Sequence, residues 1–445
     1  MSWKMVRIGP MASPRFPLNR RKLMAGLGAM ALGPALPAAA TAQGHTALAL
    51  QGQAERVSLR SGTAETPVWS LGSGDLRFKR GDILDVTFTS ELPVPTALGF
   101  RGLAGVPAAE PLTSRMPLAA GAKDTFQIPL RHAGTLLCDA SLLGDGGERP
   151  VRPRAVIVTG TSPMSVDRDE VLLLEEWRLR ADGTAIPAGA DPKDTTPIHT
   201  VNGKSSFDIS APANARLRLR FINASPRSVL AVKLENIDVR VMAIDGQPAE
   251  PFLARNGAVV LAPGNRSDVF VDATGPAGTS LSILLHDGTQ ARNIGKLTVA
   301  ADPPIRPAPF APAPPLPAND LPAQLDLRAA IRVDLPLGTP TDWVRPVDFK
   351  PSIAPAFQAK AGRPVVLVLT NRAAAATVFH LHGHPFRVLD RLDDGWKPFW
   401  LDTLAIEPGQ TQRIAFLAEY PGRYLIEQVA TDWAAPRLVR WYGVQ

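Results

Sequence analysis

A chain of 445 residues with one cysteine, seven histidines and a formal charge of +7 excludes an internal disulfide and any four-thiolate zinc or iron–sulfur site. Apolar residues at 45% allow a large core and exclude a disordered chain, while 44 prolines, far above ordinary usage, argue against a helical protein. At ~150 residues per domain the length suggests about three domains.

The charge is concentrated at the start. Residues 1–42 hold Lys4, Arg7, Arg15, Arg20, Arg21 and Lys22 with no acidic group, which leaves the rest of the chain close to neutral. No electrostatic footprint for nucleic acid remains. Asn19-Arg20-Arg21-Lys22-Leu23-Met24 resembles a twin-arginine motif. A weakly apolar run from Ala25 to Ala39 follows, then a small-x-small cleavage site, Ala40-Thr41-Ala42. This is the order of an export signal. A membrane anchor is the competing reading, but Gly33, Pro34 and Pro37 break the run and it is too short to span. The expectation is therefore export by the twin-arginine translocase to the periplasm. No stable membrane insertion is expected, because no later stretch approaches ~20 uninterrupted apolar residues.

Beyond residue 43 the chain reads as short strands between Gly, Pro and Asp turns. Asp82 to Thr89 is β-rich with partial alternation. Arg216-Leu217-Arg218-Leu219-Arg220-Phe221-Ile222 alternates strictly, with one apolar and one basic face. Pro364 to Thr370 is a continuous apolar run, the pattern of a strand buried on both faces. No long amphipathic helix is visible. A weak break lies at 159–163. From 303 to 317 more than half of the residues are proline, which predicts an extended polyproline-like connector in preference to a docking site for a proline-recognising domain. The expected organisation is a signal at 1–42, β domains at 43–162, 163–302 and 318–445, and a linker at 303–317. The fold class is all-β, built of sandwiches or barrels.

Three histidines fall within five residues, in Phe379-His380-Leu381-His382-Gly383-His384-Pro385-Phe386. On a strand, alternate residues share a face, so His380, His382 and His384 could bind copper, zinc or iron. A hydrogen-bonded polar cluster explains the spacing equally well.

At this point the sequence resembles the multicopper oxidases, whose third-domain motif is similar to His380-Leu381-His382-Gly383-His384-Pro385-Phe386. Thr200 to Lys204, Phe221 to Ser225, Ala243 to Gln247 and Leu261 to Val269 are similar to second-domain motifs. Trp400 to Thr403 and Glu407 to Gln410 are similar to the third domain's lead into its last copper motif. The resemblance implies three cupredoxin-like Greek-key domains. It also implies a four-copper set of ten histidines and one cysteine, which this chain does not carry. Gly99 and Arg101 stand at the first pair of ligand positions, and Asp139 and Ser141 at the second. Thr377, Glu427, Gln428, Val429 and Trp433 stand at those of the third domain. His380 and His382 alone match, and the lone thiol, Cys138, lies in the first domain.

The expectation is therefore a family member without copper or another cofactor, not acting as an oxidase. It would be a periplasmic scaffold or binding protein with a protein partner. The resemblance extends to exported, copper-free members that support cell division. The cavity left at the old ligand positions has two readings. In one, Arg101 pairs with Asp139 or Glu427 and the histidines donate to the remaining oxygens. In the other, His380, His382, Asp139 and Glu427 hold one metal ion, and the protein is a metal-dependent oxidoreductase. Arg101 weighs against the second. Cys138 reads as a small buried hydrophobe more readily than as a reactive thiol.

Overall fold

The computed structural model describes residues 44–60, 64–339, 342–390 and 395–445. The export signal expected at 1–42 lies outside them. Among the described residues the regular elements are strands and single turns of 3-10 helix, and no helix is long and apolar enough to cross a membrane.

The strands form six sheets, in three facing pairs. The first pair joins a five-stranded sheet (Lys123–Pro129, Ile83–Ser90, His45–Val57, Thr66–Ser70, Val151–Arg152) to a four-stranded one (Leu76–Lys79, Arg154–Thr159, Gly134–Asp139, Gly99–Arg101). Leu48, Val86 and Phe88 from one sheet meet Phe100, Leu136 and Val156 from the other. The second pair has seven and five strands, with Arg216–Asn223 central in the larger. Leu217, Phe221 and Val269 pack there against Val232, Ile283 and Leu297. The third pair sets Arg363–Asn371 and its neighbours against a sheet containing Thr377–Leu381, Gly422–Ala430 and Leu438–Val444. The chain is thus all-β, with three cupredoxin-like sandwiches. Burial of each such Val, Leu or Phe contributes about 1.5–3 kcal/mol.

The run from Pro364 to Thr370 behaves as its composition requires. Val365, Leu367 and Leu369 face the third core, while Val366 faces a second cluster with Leu325, Leu389 and Trp400. The basic face of Arg216–Asn223 does not meet solvent. Arg216, Arg218 and Arg220 are buried because each finds an acidic partner. Arg216 is bidentate on Asp272 at 2.7 and 2.8 Å, Arg220 is bidentate on Asp169, and Arg218 is paired with Asp268. Thr135, from the first sandwich, donates to Asp268 at 2.7 Å and so ties the two sandwiches together. The proline-rich segment lies along the middle sandwich. Arg306 grips Asp167 at 2.9 Å through Nη1, and its guanidinium lies 3.8 Å over the Phe310 ring.

Two tight turns set up the seam between the second and third sandwiches and the histidine motif. Asp245-Gly246 links strands Arg240–Ile244 and Gln247–Leu253 with φ of 50° and 76°, the Asp-Gly hairpin turn that needs two left-handed residues. Gly383 has φ 75° and reverses the chain just after His382. An added Cβ there would lie 2.2 Å from the Tyr424 ring, so only glycine fits.

Candidate functional site

Four strands and one loop converge between the first and third sandwiches. Arg101 ends Gly99–Arg101 and Asp139 ends Gly134–Asp139, two strands that pair directly, with Gly99 opposite Asp139. His380 lies on Thr377–Leu381, opposite Glu427 on Gly422–Ala430. His382 follows the strand end and stays in line through its amide, which donates to Leu425 O at 3.1 Å. Glu110 enters from the loop after the single turn Pro107–Ala109.

Glu427 is the hub. Arg101 Nη2 and Arg437 Nη1 donate to its Oε2 at 2.9 and 3.2 Å, and His382 Nε2 lies 2.7 Å from its Oε1. The other nitrogen of His382, Nδ1, lies 3.1 Å from Glu110 Oε2. Both ring nitrogens thus face carboxylates, which requires the doubly protonated imidazolium. Burial lowers the pKa of His382, but Glu110 and then Glu427 outweigh it and push it up to about 9. Burial raises the pKa of Glu427, but Arg101 and Arg437 hold it well below the usual carboxylate range. Of the two sequence-derived pairings for Arg101, the structure forms the one with Glu427. Asp139 is held by its own turn, accepting from Ser141 N at 2.8 Å and Ser141 Oγ at 2.6 Å.

His380 is the opposite case. Its Nδ1 lies 3.0 Å from Asp402 O and 2.9 Å from Thr403 Oγ1. Thr403 already donates its proton to Asp402 Oδ1 at 2.7 Å. Nδ1 must therefore carry the hydrogen, which leaves Nε2 as a bare acceptor. That Nε2 is buried and has no hydrogen-bond partner among the described residues. Burial and the nearby Arg101 push the pKa of His380 down to about 3, so the ring is neutral.

Behind His380, the fully buried Arg266 is bidentate on Asp402 at 2.9 and 2.6 Å and also donates to Thr135 O at 3.1 Å. Asp245, from the tight hairpin, accepts from Asp402 N and Thr403 N at 3.1 and 3.2 Å. Burial and the Asp402 charge push Asp245 up to about 6. The middle sandwich thereby fixes the strand that orients His380.

The motif's shared face holds for two of its three histidines. The His380 and His382 rings are 4.7 Å apart. His384 departs, because the left-handed Gly383 turns the chain away. Its Nδ1 lies 2.7 Å from Tyr442 OH, and its Nε2 accepts from Tyr420 N at 3.3 Å. Tyr442 OH in turn donates to His382 O at 2.6 Å. All three tyrosines of the chain, Tyr420, Tyr424 and Tyr442, surround the His384 ring. Burial pushes its pKa down to about 3.

Ligand atoms of His380, His382 and Glu427 lie within 4.8 Å of one another, and these three form the metal-ligand-type group found among the described residues. Asp139 lines the adjoining cavity with His380, Glu427 and Arg101. Cys138 is buried in the first core on the opposite face of its strand from Leu137 and Asp139, and burial raises its pKa. Gln428, beside Glu427, turns to the other side and accepts from Gly338 N at 2.8 Å. The sequence reading missed Glu110 and Arg437. Glu110 lies in an irregular loop with no pattern, and Arg437 lies just past the last motif position considered.

The chain matches the pattern described as multicopper oxidase over residues 154–293 and again over 325–435, together more than half its length. It is 23% identical to the multicopper oxidase MmcO of Mycobacterium tuberculosis, covering 90% of this chain and 88% of that protein. The fold is similar to a multi-copper oxidase from Pseudomonas thermotolerans, with TM-score 0.76 and 24% identity over 91% of this chain and 100% of that one. The multi-copper oxidase from Pseudomonas parafulva is similar too, with TM-score 0.73 and 23% identity over 90% and 100%.

Proposed function

Because this chain belongs to the multicopper oxidase family, we propose that it is a member whose copper centre has become a metal-free charged seam, and that it acts by binding rather than by oxidation. The observation that carries this reading is the state of Glu427. Two guanidinium groups and the His382 imidazolium already occupy its oxygens. A cation at the His380–His382–Glu427 group would have to displace Arg101 and Arg437 and deprotonate His382, all at a buried site. The residues do not fit a copper cluster. Nor does the group gain a thiolate, since Cys138 lies in the first core and blue copper needs one.

In this reading the protein is exported through residues 1–42 and works in the periplasm as a scaffold for a protein partner. Attachment to the cell-division machinery is the form the family resemblance suggests. Metal analysis with an optical spectrum, on protein refolded in copper, tests it. Less than a tenth of an equivalent of copper, no visible band and no oxidation of a phenol are expected. Stoichiometric copper with a visible band would overturn it.

A second reading, a metal-dependent oxidoreductase, is favoured by one observation. The His380 Nε2 lone pair is bare and close to His382 and Glu427. The same metal analysis on His380→Ala separates the two.

A further inference from the structure

We propose that the apolar groove between the second and third sandwiches is a docking site for an extended segment of a partner protein, one with apolar side chains at alternate positions and a carboxylate. This rests on the binding role proposed above and gives that role a surface.

Apolar exposure is concentrated there. Six large apolar side chains are exposed among the described residues, and three of them, Phe252 at 42%, Leu253 at 51% and Val260 at 69%, fall within a stretch of nine residues. Apolar residues scattered singly are ordinary on a surface, whereas a contiguous group marks an interaction site. Phe252 and Val260 line one groove with Ala258 of the same sandwich and with Phe399 and Leu404 of the third. Its volume of about 340 Å³ falls among sites that seat a ligand, roughly 300 Å³ upward, so it is more than a packing gap.

Three sheet edges border this groove. Gln247–Leu253 is the outermost strand of the seven-stranded sheet, Ala258–Leu261 of the facing five-stranded sheet, and Thr403–Ile406 of the five-stranded sheet in the third sandwich. An edge strand keeps backbone N–H and C=O groups without a neighbouring strand, the template on which a further strand adds. Proteins blunt such edges with lysine, proline or other charge. Ala258-Val259-Val260-Leu261 carries none of these. At the inner end the backbone is already engaged. Asn223 Nδ2 donates to Leu261 O at 2.8 Å, Asn265 Nδ2 donates to Thr403 O at 3.2 Å, and Thr403 N donates to Asp245 Oδ2 at 3.2 Å. The open stretch is therefore residues 258–260.

Charge specifies the occupant. Arg255, in the turn between the two edge strands of the middle sandwich, is the one charged side chain lining the groove among the described residues. It is exposed, and its guanidinium has no ion pair or hydrogen bond with any of them. An apolar strip beside an unpaired guanidinium complements an apolar segment that carries a carboxylate. A second copy of this edge does not supply that charge, because residues 252–261 include no acidic group.

A phage-displayed library of random nine-residue peptides is the probe, panned on the purified protein and on Val260→Lys. Sequences enriched on the parent should alternate apolar residues and carry Asp or Glu, and their enrichment should vanish on the variant. In fluorescence anisotropy, a synthetic peptide of the consensus should bind Val260→Lys about tenfold or more weakly, as expected for one lost valine contact. The substitution adds positive charge, so weaker attraction of a carboxylate does not explain such a loss. Val260 is exposed, and an unchanged melting temperature checks that the variant folds. Replacing the peptide's acid by its amide should weaken binding to the parent several-fold and make no difference in Arg255→Ala. No enrichment, equal binding by Val260→Lys, a consensus without alternation, or an amide peptide that binds the parent as well as the acid would each overturn the proposal. So would a dimer in sedimentation that Val260→Lys dissolves, since a second copy would then occupy the edge. Copper assayed on the same sample separates the premises: stoichiometric metal would overturn the metal-free reading and leave the result at the groove standing.

Discussion

His382 Nε2 and Glu427 Oε1 are 2.7 Å apart across two paired strands, and the other oxygen of Glu427 is bound by Arg101 from a different sandwich. One carboxylate thus neutralises charge from the first and third sandwiches together. Replacing it removes the partner of two buried cations, His382 and Arg437, and of the partly buried Arg101, while leaving their desolvation cost in place. Glu427→Gln should destabilise the protein by about 3–5 kcal/mol, the usual penalty for breaking a buried pair from one side. Urea unfolding measures this; a change below about 1 kcal/mol would show that the seam does not depend on Glu427.

The same ring sets a pH dependence. The folded-state pKa of His382 is raised to about 9 from an ordinary 6.5. A raised pKa means the folded state holds the proton more tightly than the unfolded chain. The stabilisation is complete below 6.5 and is lost as pH rises through about 9, on the order of 3 kcal/mol in all. Denaturation midpoints should decline across that window, and His382→Gln should flatten the decline. A wild-type curve level from pH 6.5 to 9.5 would contradict it.

Tyr442 joins the two halves of the motif. Its hydroxyl donates to His382 O and meets His384 Nδ1. Tyr442→Phe keeps the ring stack with Phe357 and removes the hydroxyl alone. The expected cost is about 1–3 kcal/mol, from polar atoms left buried and unpaired, with a changed His384 tautomer signal by ¹⁵N NMR. Unchanged stability and an unchanged His384 spectrum would contradict this.

Gly383→Ala combines a left-handed backbone with a clash at 2.2 Å from the Tyr424 ring. A loss of about 2–5 kcal/mol is expected, enough to move the melting temperature by several degrees or prevent folding. A variant that melts like the parent would show that Tyr424 can step aside.

Cys138 is completely buried in the first core. A thiol reagent should label it only at the rate of unfolding, with rapid labelling in urea. Rapid labelling of the native protein would place the thiol at a surface.

The fold was legible because period-two alternation and proline-rich turns leave few alternatives. Arg216–Asn223 and Arg363–Asn371 lie where their patterns put them. The destination of the basic face was not legible. Whether Arg218 and Arg220 meet solvent or Asp268 and Asp169 depends on residues about fifty positions away. The candidate site divides in the same way. His380 and His382 announce themselves by spacing, and Glu427 by its motif position. Glu110 and Arg437 carry no local signal, because a partner across a domain seam is chosen by tertiary packing. The shared face failed at His384 for a local reason, since one left-handed glycine ends the alternation on which the rule rests.

Arg266 has a consequence beyond the site. Its side chain is wholly enclosed, and its partners come from three sandwiches: Thr135 from the first, Asp245 from its own and Asp402 from the third. Excising the middle sandwich would expose this guanidinium with only part of its complement. Each sandwich is a separate topological module, yet none is an interchangeable one. Transplanting any of them into a related chain would have to carry the matching carboxylate or carbonyl along, so recombination within this architecture is restricted to donors that keep the same charge lock.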